Sequence, residues 1–309
     1  MVFSKRKGTF GSSNGIDDIA YSVYVPQEAP GAVLQIAHGM SEHFGRYEEF
    51  AGFLAERGII VCGNDHLGHG GSVSSAENLG YFGNKKGWEY LVDDMHLLTM
   101  RIKKEFGAIP YFLLGHSLGS LLARAYLSKY GDELSGCIIM GTSDKNSKTV
   151  LGKPLMKAIC RLKGEKYRSR LLYSIAFGNY NKRYEKGCSR LAWMSQDSQV
   201  LAQFKADPMC NFILTVAGFM DLTDVLLFVS RPEWAHEVPK EVPLYLVSGD
   251  MDPVGDYGKG VQQVYKALLE AKVKELSMKL YPDDRHEILN EPHKETVYRD
   301  ILCWLEKYM

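Results

Sequence analysis

Short apolar runs alternate with longer stretches of helical spacing along most of the chain. The short runs are bounded by turn residues, as is typical of buried strands, and lie at residues 33–37, 59–62, 111–114, 137–140, 244–247 and 276–281. Apolar residues with helical spacing mark residues 47–57, 88–106 and 296–308. Strands that alternate with helices in this way predict an α/β fold with a mostly parallel sheet flanked by helices.

The N-terminal segment has a different pattern. Asn14 and Gly15 lie between two apolar segments, and an Asn-Gly pair in that position favours a tight turn between antiparallel strands. We therefore predict a β-hairpin at the N-terminus, ahead of the alternating strands and helices.

The alternation of strands and helices stops between about residues 144 and 235. This segment has mostly helical spacing and contains no convincing parallel strand. We therefore predict three parts of the chain. Residues 1–143 form the first part of an α/β core, residues 144–235 form a helical insertion that covers the core as a cap or lid, and residues 236–309 form the last part of the core.

Charge divides this insertion into two halves. Residues 144–190 contain thirteen Lys and Arg against three acidic residues, a net charge of about +10, whereas residues 191–237 contain six acidic and two basic residues, about −4. The basic half is either a solvated helical face or a surface for anionic head groups and membranes. The apolar run NFILTVAGFMDLTDVLLFVS contains two aspartates, which favours a lid helix packed over a pocket rather than a membrane span.

The composition of the whole chain excludes several classes of protein. Its 309 residues are 45% hydrophobic, and 37 basic residues balance 37 acidic ones, so there is no general attraction for nucleic acid. The start, MVFSKRKGTFGSSNG, lacks the apolar segment of a signal peptide, and the six cysteines contain no C-x-x-C pair. We expect a cytoplasmic protein without a disulfide scaffold, metal or other cofactor; no feature specifies its oligomeric state.

A serine lies between two glycines where a predicted strand passes into a predicted helix. The segment Gly115-His116-Ser117-Leu118-Gly119 matches the pattern Gly-x-Ser-x-Gly, in which a sharp turn exposes a nucleophilic hydroxyl at a helix N-terminus. The alternative role of Ser117 is to cap that helix. Residues 11–15 match the same pattern, but they lie in the predicted hairpin turn with no helix behind them, so we assign Ser13 no function.

A serine hydroxyl needs a neighbouring base to remove its proton, and histidine is the usual one. His286 follows the last predicted strand, where the loop returns to the carboxyl edge of the sheet, and is the first candidate. His293, which we expect a turn or two into the closing helix, is the second. We expect His116 to orient or pack against its neighbours, because successive side chains of a strand point apart.

His66 and His69 have a spacing that could suggest a metal pair. A zinc site needs further ligands, and none lies nearby in the sequence, so we favour a role in a structured loop.

The base in turn needs a carboxylate to orient it, and the order Ser-Asp-His places this residue after a strand between the other two. The segment PLYLVSGDMDPVGD fits, since a predicted strand is followed by Asp250 and Asp252. We favour Asp252, which lies beyond a tight turn and before Pro253. Asp250 remains the alternative. The aspartate that does not orient the base is expected to cap or hydrogen-bond the loop.

An oxyanion that forms during attack on a carbonyl needs two N–H donors. The first expected donor is the N–H of Leu118, the residue after the nucleophile. The second is the N–H of Met40 in the loop after the first parallel strand, where Gly39 lets the backbone turn its amide toward the developing charge.

With these residues assembled, the chain resembles the monoacylglycerol lipase and lysophospholipase-like group of α/β-hydrolases, the serine aminopeptidase S33-type family. HGMSEHFGRYEEFAGFLAERGIIVCGNDHLGHGGS resembles the family's His-Gly-x-x-Glu-His…Arg-Tyr…Asp-x-x-Gly-His-Gly-x-Ser block. GHSLGS resembles its nucleophile elbow, although Ser120 stands where a second glycine is common. SGDMDPV resembles its acid loop and RHEILNE its histidine loop.

The resemblance implies an α/β-hydrolase fold in which Ser117, Asp252 and His286 form the catalytic triad. It also implies that Met40 and Leu118 supply the oxyanion hole. Residues 144–235 would be the cap over an acyl pocket, and this is the part with least motif agreement, so the resemblance says least about the substrate.

We therefore expect a serine ester hydrolase that works through an acyl-enzyme on a single-chain acyl lipid, either a monoacylglycerol or a lysophospholipid. A small-molecule carboxylesterase, for example one for aromatic acyl esters, is an alternative. An aminopeptidase is another, with Asp221 or Asp224 of the cap binding the substrate amine. A binding or receptor protein with the same fold is least favoured, because a pure binder does not need a triad.

Overall fold

The computed structural model describes residues 2–83, 85–144, 147–184 and 189–309, with residues 147–151 described by their backbone. Four charged residues counted above in the insertion therefore lie outside the description, in whole or by their side chains: Lys145, Lys148, Glu185 and Lys186.

Strands and helices alternate along much of the described chain. The strands are β1 (Phe3–Gly11), β2 (Asp18–Pro26), β3 (Ala32–Ala37), β4 (Ile59–Asn64), β5 (Tyr111–His116), β6 (Gly136–Met140), β7 (Leu244–Gly249) and β8 (Leu276–Tyr281). The α-helices are α1 (Glu48–Ala55), α2 (Gly87–Phe106), α3 (Leu118–Tyr130), α4 (Ser147–Lys163), α5 (Arg170–Phe177), α6 (Ser198–Ala206), α7 (Val216–Val229), α8 (Trp234–Glu237), α9 (Lys259–Glu270) and α10 (Lys294–Lys307).

The eight strands form one sheet in the order β1-β2-β4-β3-β5-β6-β7-β8. Strands β1 and β2 are an antiparallel hairpin, and β2 joins β4 antiparallel, whereas every pair from β4 to β8 is parallel. The predicted α/β fold, its mostly parallel sheet and the N-terminal hairpin are confirmed. Gly15, with φ of 73°, lies in the hairpin turn as predicted.

Three strands continue past the apolar runs that predicted them. β4 extends through Gly63 to Asn64, β5 through Gly115 to His116, and β7 through Ser248 to Gly249. Glycine and polar residues end an apolar run, yet these positions are buried and their backbones keep pairing with neighbouring strands, for example His116 with Met140. The hydrogen-bonded ladder, rather than side-chain hydrophobicity, sets the strand end here.

Helices cover both faces of the sheet. One apolar layer joins the sheet to helices α2, α3, α7 and α9, and the other joins it to α1 and α10. All residues of β3 to β7 are buried. Burial on both faces explains why these strands appear as continuous apolar runs instead of alternating patterns.

Between β6 and β7 the chain leaves the sheet. Its described residues there form helices α4 to α8 and contain no strand. Leu191, Trp193, Met194, Phe204 and Cys210 make a small apolar cluster within this insertion. None of the helices in the described part of the chain is both long and apolar enough to cross a bilayer.

The N-terminus of α3 lies unusually close to the end of β3. A Cβ atom on Gly119 would be 2.0 Å from the carbonyl oxygen of Ala37, and a Cβ on Gly115 would be 2.2 Å from the carbonyl oxygen of Gly119. Both positions therefore require glycine, because the obstructing atoms belong to the backbone and cannot rotate away.

We predict that Gly119→Ala lowers the free energy of unfolding by about 1–3 kcal/mol, the usual cost of overpacking, even though alanine favours helix. Chemical denaturation measures the change. Gly11→Ala is the control, because a Cβ there meets nothing within 4 Å, and its effect should stay within about 0.5 kcal/mol. A Gly119→Ala variant as stable as the parent would contradict the close approach of α3 to β3.

Candidate active site

The predicted site residues lie on loops at one edge of the sheet. Because β3, β5, β7 and β8 are parallel, their carboxyl ends share this edge, and the loops that follow carry Met40, Ser117, Asp252 and His286. A cavity of about 700 Å³ opens there, and Met40, Ser117, Leu118 and His286 all line it. The structure thus brings the sequence-predicted residues together.

Ser117 occupies a strained turn between β5 and α3. Its φ of 55° and ψ of −117° are rare for a residue with a side chain. The backbone holds this conformation, since the N–H of Ser117 donates to the carbonyl of Met140 at 3.0 Å and its own carbonyl accepts the Oγ of Ser120 at 2.6 Å. The Ser117 side chain makes no capping bond to α3, which argues against the capping role.

His286 is paired with Asp252. The Nδ1 atom of His286 lies 2.8 Å from Oδ2 of Asp252, and the two side chains are 3% and 0% exposed. The other Asp252 oxygen accepts the N–H of Val254 at 2.8 Å, which fixes the carboxylate. Because Nδ1–H donates to the carboxylate, the lone pair is at Nε2, which has no hydrogen-bond partner among the described residues.

The pair also sets the protonation behaviour of the imidazole. Burial opposes a charged ring, but the charge of Asp252 and its hydrogen bond outweigh burial and raise the pKa of His286 above its ordinary value of 6.5. The ring is therefore a stronger base than a free histidine.

The two alternative residues lie elsewhere. Asp250 accepts the N–H of Asp283 at 2.8 Å and so braces the loop after β8. His293 is exposed and immediately precedes the first residue of α10, rather than lying a turn or two inside the helix as we expected. Neither lies in the lining of the cavity.

The two expected N–H donors flank Ser117. Leu118 is the first residue of α3, where the helix leaves N–H groups without internal partners. The loop with Gly39 and Met40 passes beside the serine, since a Cβ on Gly39 would lie 3.2 Å from the Cβ of Ser117. This arrangement can receive a carbonyl oxygen between the two loops.

A buried charge network that the sequence reasoning did not assign supports these loops. Glu42 accepts the N–H of Gly39 at 2.6 Å, the hydroxyl of Tyr47 at 2.8 Å and Nη1 of Arg46 at 2.6 Å. Burial favours a neutral acid, but Arg46 and His116 hold the pKa of Glu42 well below its ordinary value. In the sequence, the (i, i+4) spacing of Glu42 and Arg46 was the one available indication that these two residues form an ion pair.

The network continues to the histidine loop. Arg46 makes a bidentate pair with Glu287, at 2.8 and 2.7 Å, directly beside His286. His116 lies between the loops, with Nδ1 2.9 Å from the Tyr47 hydroxyl and Nε2 3.2 Å from the carbonyl oxygen of His286. The orienting role predicted for His116 agrees with these contacts.

His66 and His69 join a third buried histidine, His38. The ring of His38 lies 4.1 Å from that of His66 and 5.2 Å from that of His69. Both nitrogens of His38 are used, because Nδ1 bonds the carbonyl of Gly39 and Nε2 accepts the N–H of His66. Burial lowers the pKa of His66 to about 3 and that of His69 to about 4, so the cluster is neutral packing for the loops.

One group of three possible metal ligands occurs in the described part of the chain: one ligand atom each of His43, Asp207 and Cys210 lie within 4.8 Å of one another. Nδ1 of His43 accepts the N–H of Gly45 at 3.1 Å, so the ring proton is on Nε2, which donates to Asp207 at 2.9 Å. Because Nε2 has no free lone pair in this tautomer, the group fits a hydrogen bond better than a metal site.

The sheet, the serine elbow and the buried Asp–His pair define an α/β-hydrolase of the serine-hydrolase type. Residues 28–293 match the family described as serine aminopeptidase, S33, and the chain belongs to this family. It is a carboxylic ester hydrolase, which excludes the pure binding protein considered above.

Relatives with known names cover nearly the whole chain. The monoacylglycerol lipase of Mycolicibacterium smegmatis is 28% identical over 313 residues, which include 100% of both chains. The human monoglyceride lipase is 26% identical over 91% of this chain and 84% of its own. A thermostable carboxyl esterase from Bacillus coagulans, solved with glycerol, superposes with a TM-score of 0.92 at 30% identity and covers 99% of both chains.

We predict that the kcat/KM of ester hydrolysis falls at acid pH with an apparent pKa above 6.5, because His286 must be neutral to act as base. Asp252→Asn should lower kcat by about 10⁴-fold, as the imidazole loses its orienting anion. It should also move the acid limb of the pH profile to lower pH, because the negative charge of Asp252 that raises the pKa of His286 is gone. A stopped assay across pH 4–9 measures both effects.

Asp250→Asn is the matched control, because asparagine keeps the acceptor that holds the Asp283 N–H. Its kcat should stay within about threefold of the parent enzyme. An equal loss in both variants, or an acid limb that does not move in Asp252→Asn, would contradict the pairing.

Proposed function

We propose that this enzyme hydrolyses single-chain acyl lipids, in the first place monoacylglycerols, with Ser117, His286 and Asp252 as its catalytic triad. The observation that carries the proposal is a continuous apolar wall beside Ser117. Leu118 and Leu121 of α3, Leu172 and Phe177 at α5, and Phe219 and Leu226 of α7 all line the cavity. Such a wall suits an acyl chain whose ester lies at the serine.

The reaction follows from the geometry of the loops. Ser117 Oγ attacks the ester carbonyl while Nε2 of His286 takes its proton, and Asp252 holds the ring in the required tautomer. The N–H groups of Met40 and Leu118 bind the oxyanion of the tetrahedral intermediate. His286 then protonates the departing alcohol, and water activated by the same nitrogen releases the fatty acid from the acyl-enzyme.

We propose further that residues 144–235 are the cap of this site. Helices α4, α5 and α7 of the insertion contribute much of the apolar lining, through Leu155, Leu172 and Leu226 among others. The insertion also meets the histidine loop, because the N–H of Glu287 donates to the carbonyl of Met194 at 2.8 Å. The cap therefore shapes the pocket that selects the acyl group.

The polar part of the cavity favours a neutral head group. Glu42 and Glu287 line it together, and their shared partner Arg46 carries one positive charge against their two negative charges. An anionic phosphate close to this pair would be repelled. Lys182 and Arg183 also line the cavity and keep a lysophospholipid as the second candidate.

The structure weakens the aminopeptidase alternative. Asp221 accepts the N–H of Trp88 at 3.2 Å and so caps α2, and Asp224 forms an ion pair with Lys153. Neither aspartate lies in the cavity lining. Both therefore stabilise the insertion instead of offering a charge to a substrate amine.

The proposal is tested by fatty-acid release from a monoacylglycerol and a lysophospholipid that share one acyl chain. Short aryl and aminoacyl esters are assayed beside them, and Ser117→Ala is the blank. We expect the monoacylglycerol to be the best substrate and Ser117→Ala to lose at least about 10³-fold in kcat. Turnover of the short esters alone would contradict the acyl-lipid assignment while leaving the triad in place.

The outer surface of the cap suits a transient contact with an anionic membrane. Leu162 of α4 and Leu171 of α5 are exposed and lie outside the cavity lining, and Arg161 and Arg170 lie beside them in the chain. Apolar side chains flanked by basic ones bind the interface of anionic bilayers.

We predict that the protein cosediments with phosphatidylcholine vesicles that contain phosphatidylglycerol more than with pure phosphatidylcholine. Leu171→Glu should reduce this binding severalfold, because it removes apolar area and adds repulsion. Leu269→Glu is the matched control, since Leu171 and Leu269 are both 55% exposed but Leu269 lies on α9, outside the insertion. Equal binding by both variants would contradict the proposed surface.

A further inference from the structure

A buried arginine lies on the helix that follows the nucleophile. Arg124 is in α3, two turns after Ser117, and its residue is only 1% exposed. A fully buried guanidinium is rare because desolvation of its charge is costly unless hydrogen bonds compensate. The reaction proposed above gives it no role, so its partners are informative.

One end of the guanidinium holds the point where the chain enters the insertion. Nη1 donates to the carbonyl of Ser143 at 2.8 Å and approaches Oγ1 of Thr142 at 3.5 Å. These residues follow β6 directly, and the predicted insertion begins at residue 144. This contact ties the first junction to α3.

The other end holds the point where the chain leaves the insertion. Nη2 donates at 2.5 Å to the carbonyl of Val229, the last residue of α7. The guanidinium lies 4.4 Å from the ring of Trp234 at the start of α8, and the indole N–H of Trp234 donates to the Arg124 carbonyl at 2.8 Å. Arg124 thus contacts both junctions of the insertion at once.

The electrostatics suit this arrangement. Burial lowers the pKa of Arg124 to about 10, which still leaves the group charged at neutral pH. Val229 lies at the carboxyl end of α7, where the unpaired carbonyls and the helix dipole favour a cation. The planar guanidinium donates in two directions at once and so bonds both junctions. The compact ammonium of a lysine cannot reach both carbonyls in this way.

The contact sets the position of α7 relative to the nucleophile. Phe219, Leu222 and Leu226 of α7 face the same cavity as Leu118 and Leu121 of α3. A shift of α7 relative to α3 would therefore change the width of the apolar part of the cavity without moving Ser117 or His286.

We propose that Arg124 is a positioning residue that fastens both junctions of the cap to the nucleophile helix and thereby determines which acyl chains the pocket accepts. The specificity role of Arg124 rests on the function proposed above, because it concerns long acyl chains. The fastening of the two junctions does not depend on the substrate.

The first experiment compares kcat/KM for a series of p-nitrophenyl esters from acetate to palmitate in the parent enzyme and Arg124→Lys. We expect acetate hydrolysis to stay within about threefold, because the triad is untouched, and long-chain hydrolysis to fall by at least about 10-fold, mainly through KM. Arg299→Met is the control, since that arginine is exposed on α10. A parallel loss for all esters, or an unchanged chain-length profile, would overturn the specificity role.

The second experiment follows amide hydrogen exchange in the same proteins. Arg124→Lys should exchange faster at residues 141–144 and 229–235, with the strands unchanged. Trp234→Phe, which removes the indole N–H bond to Arg124 and part of the ring beneath the guanidinium but leaves both Arg124 bonds to the junction carbonyls, should loosen residues 229–235 and not residues 141–144. Unchanged exchange at both junctions would overturn the fastening role.

A parent enzyme that cleaves acetate but no long-chain ester would instead refute the proposed substrate class, and the exchange result would still decide the role of Arg124.

Discussion

The structure depends on the close approach of α3 to the end of β3. Gly119 packs against the carbonyl of Ala37, and only a residue without a side chain permits this contact. The approach forces Ser117 into a strained backbone conformation at φ 55° and holds its hydroxyl away from the helix. It also brings the N–H of Leu118 beside the loop of Gly39 and Met40. One backbone contact therefore positions both the proposed nucleophile and the proposed oxyanion donors, and the packing of the buried central strands keeps the strained turn in place.

Buried charges join the loops around this contact. Glu42 holds the Gly39 amide, Arg46 joins Glu42 to Glu287, and Glu287 is the neighbour of His286. The loops that carry Met40 and His286 thus share one buried network. A single buried charge destabilises the fold, whereas buried charges that pair with one another are tolerated. Loss of one member of the network would therefore be destabilising, because it leaves its partners buried and unpaired. The site behaves as one unit for this reason.

The sequence predicted those features that depend on local order. The strands, the serine turn at Ser117 and the loops of Asp252 and His286 each have their signal within a few residues of chain. The pair of Arg46 and Glu287 joins residues 241 positions apart, and its pairing depends on how the loops meet in three dimensions. His38 and Arg124 were missed for the same reason, because apolar spacing does not reveal which buried polar atoms face each other. The choice of Asp252 over Asp250 rested on turn geometry, and the structure places Asp252 against His286.

The central claim is that Ser117 is the nucleophile and that His286 activates it. Intact-protein mass spectrometry after reaction with a fluorophosphonate, followed by peptide mapping, tests this most directly. The account predicts one adduct, on Ser117, that forms faster as pH rises through the pKa of His286, while Ser13 in the similar segment 11–15 stays unmodified. A folded protein that takes up no label, or that carries it on a residue other than Ser117, would contradict the account.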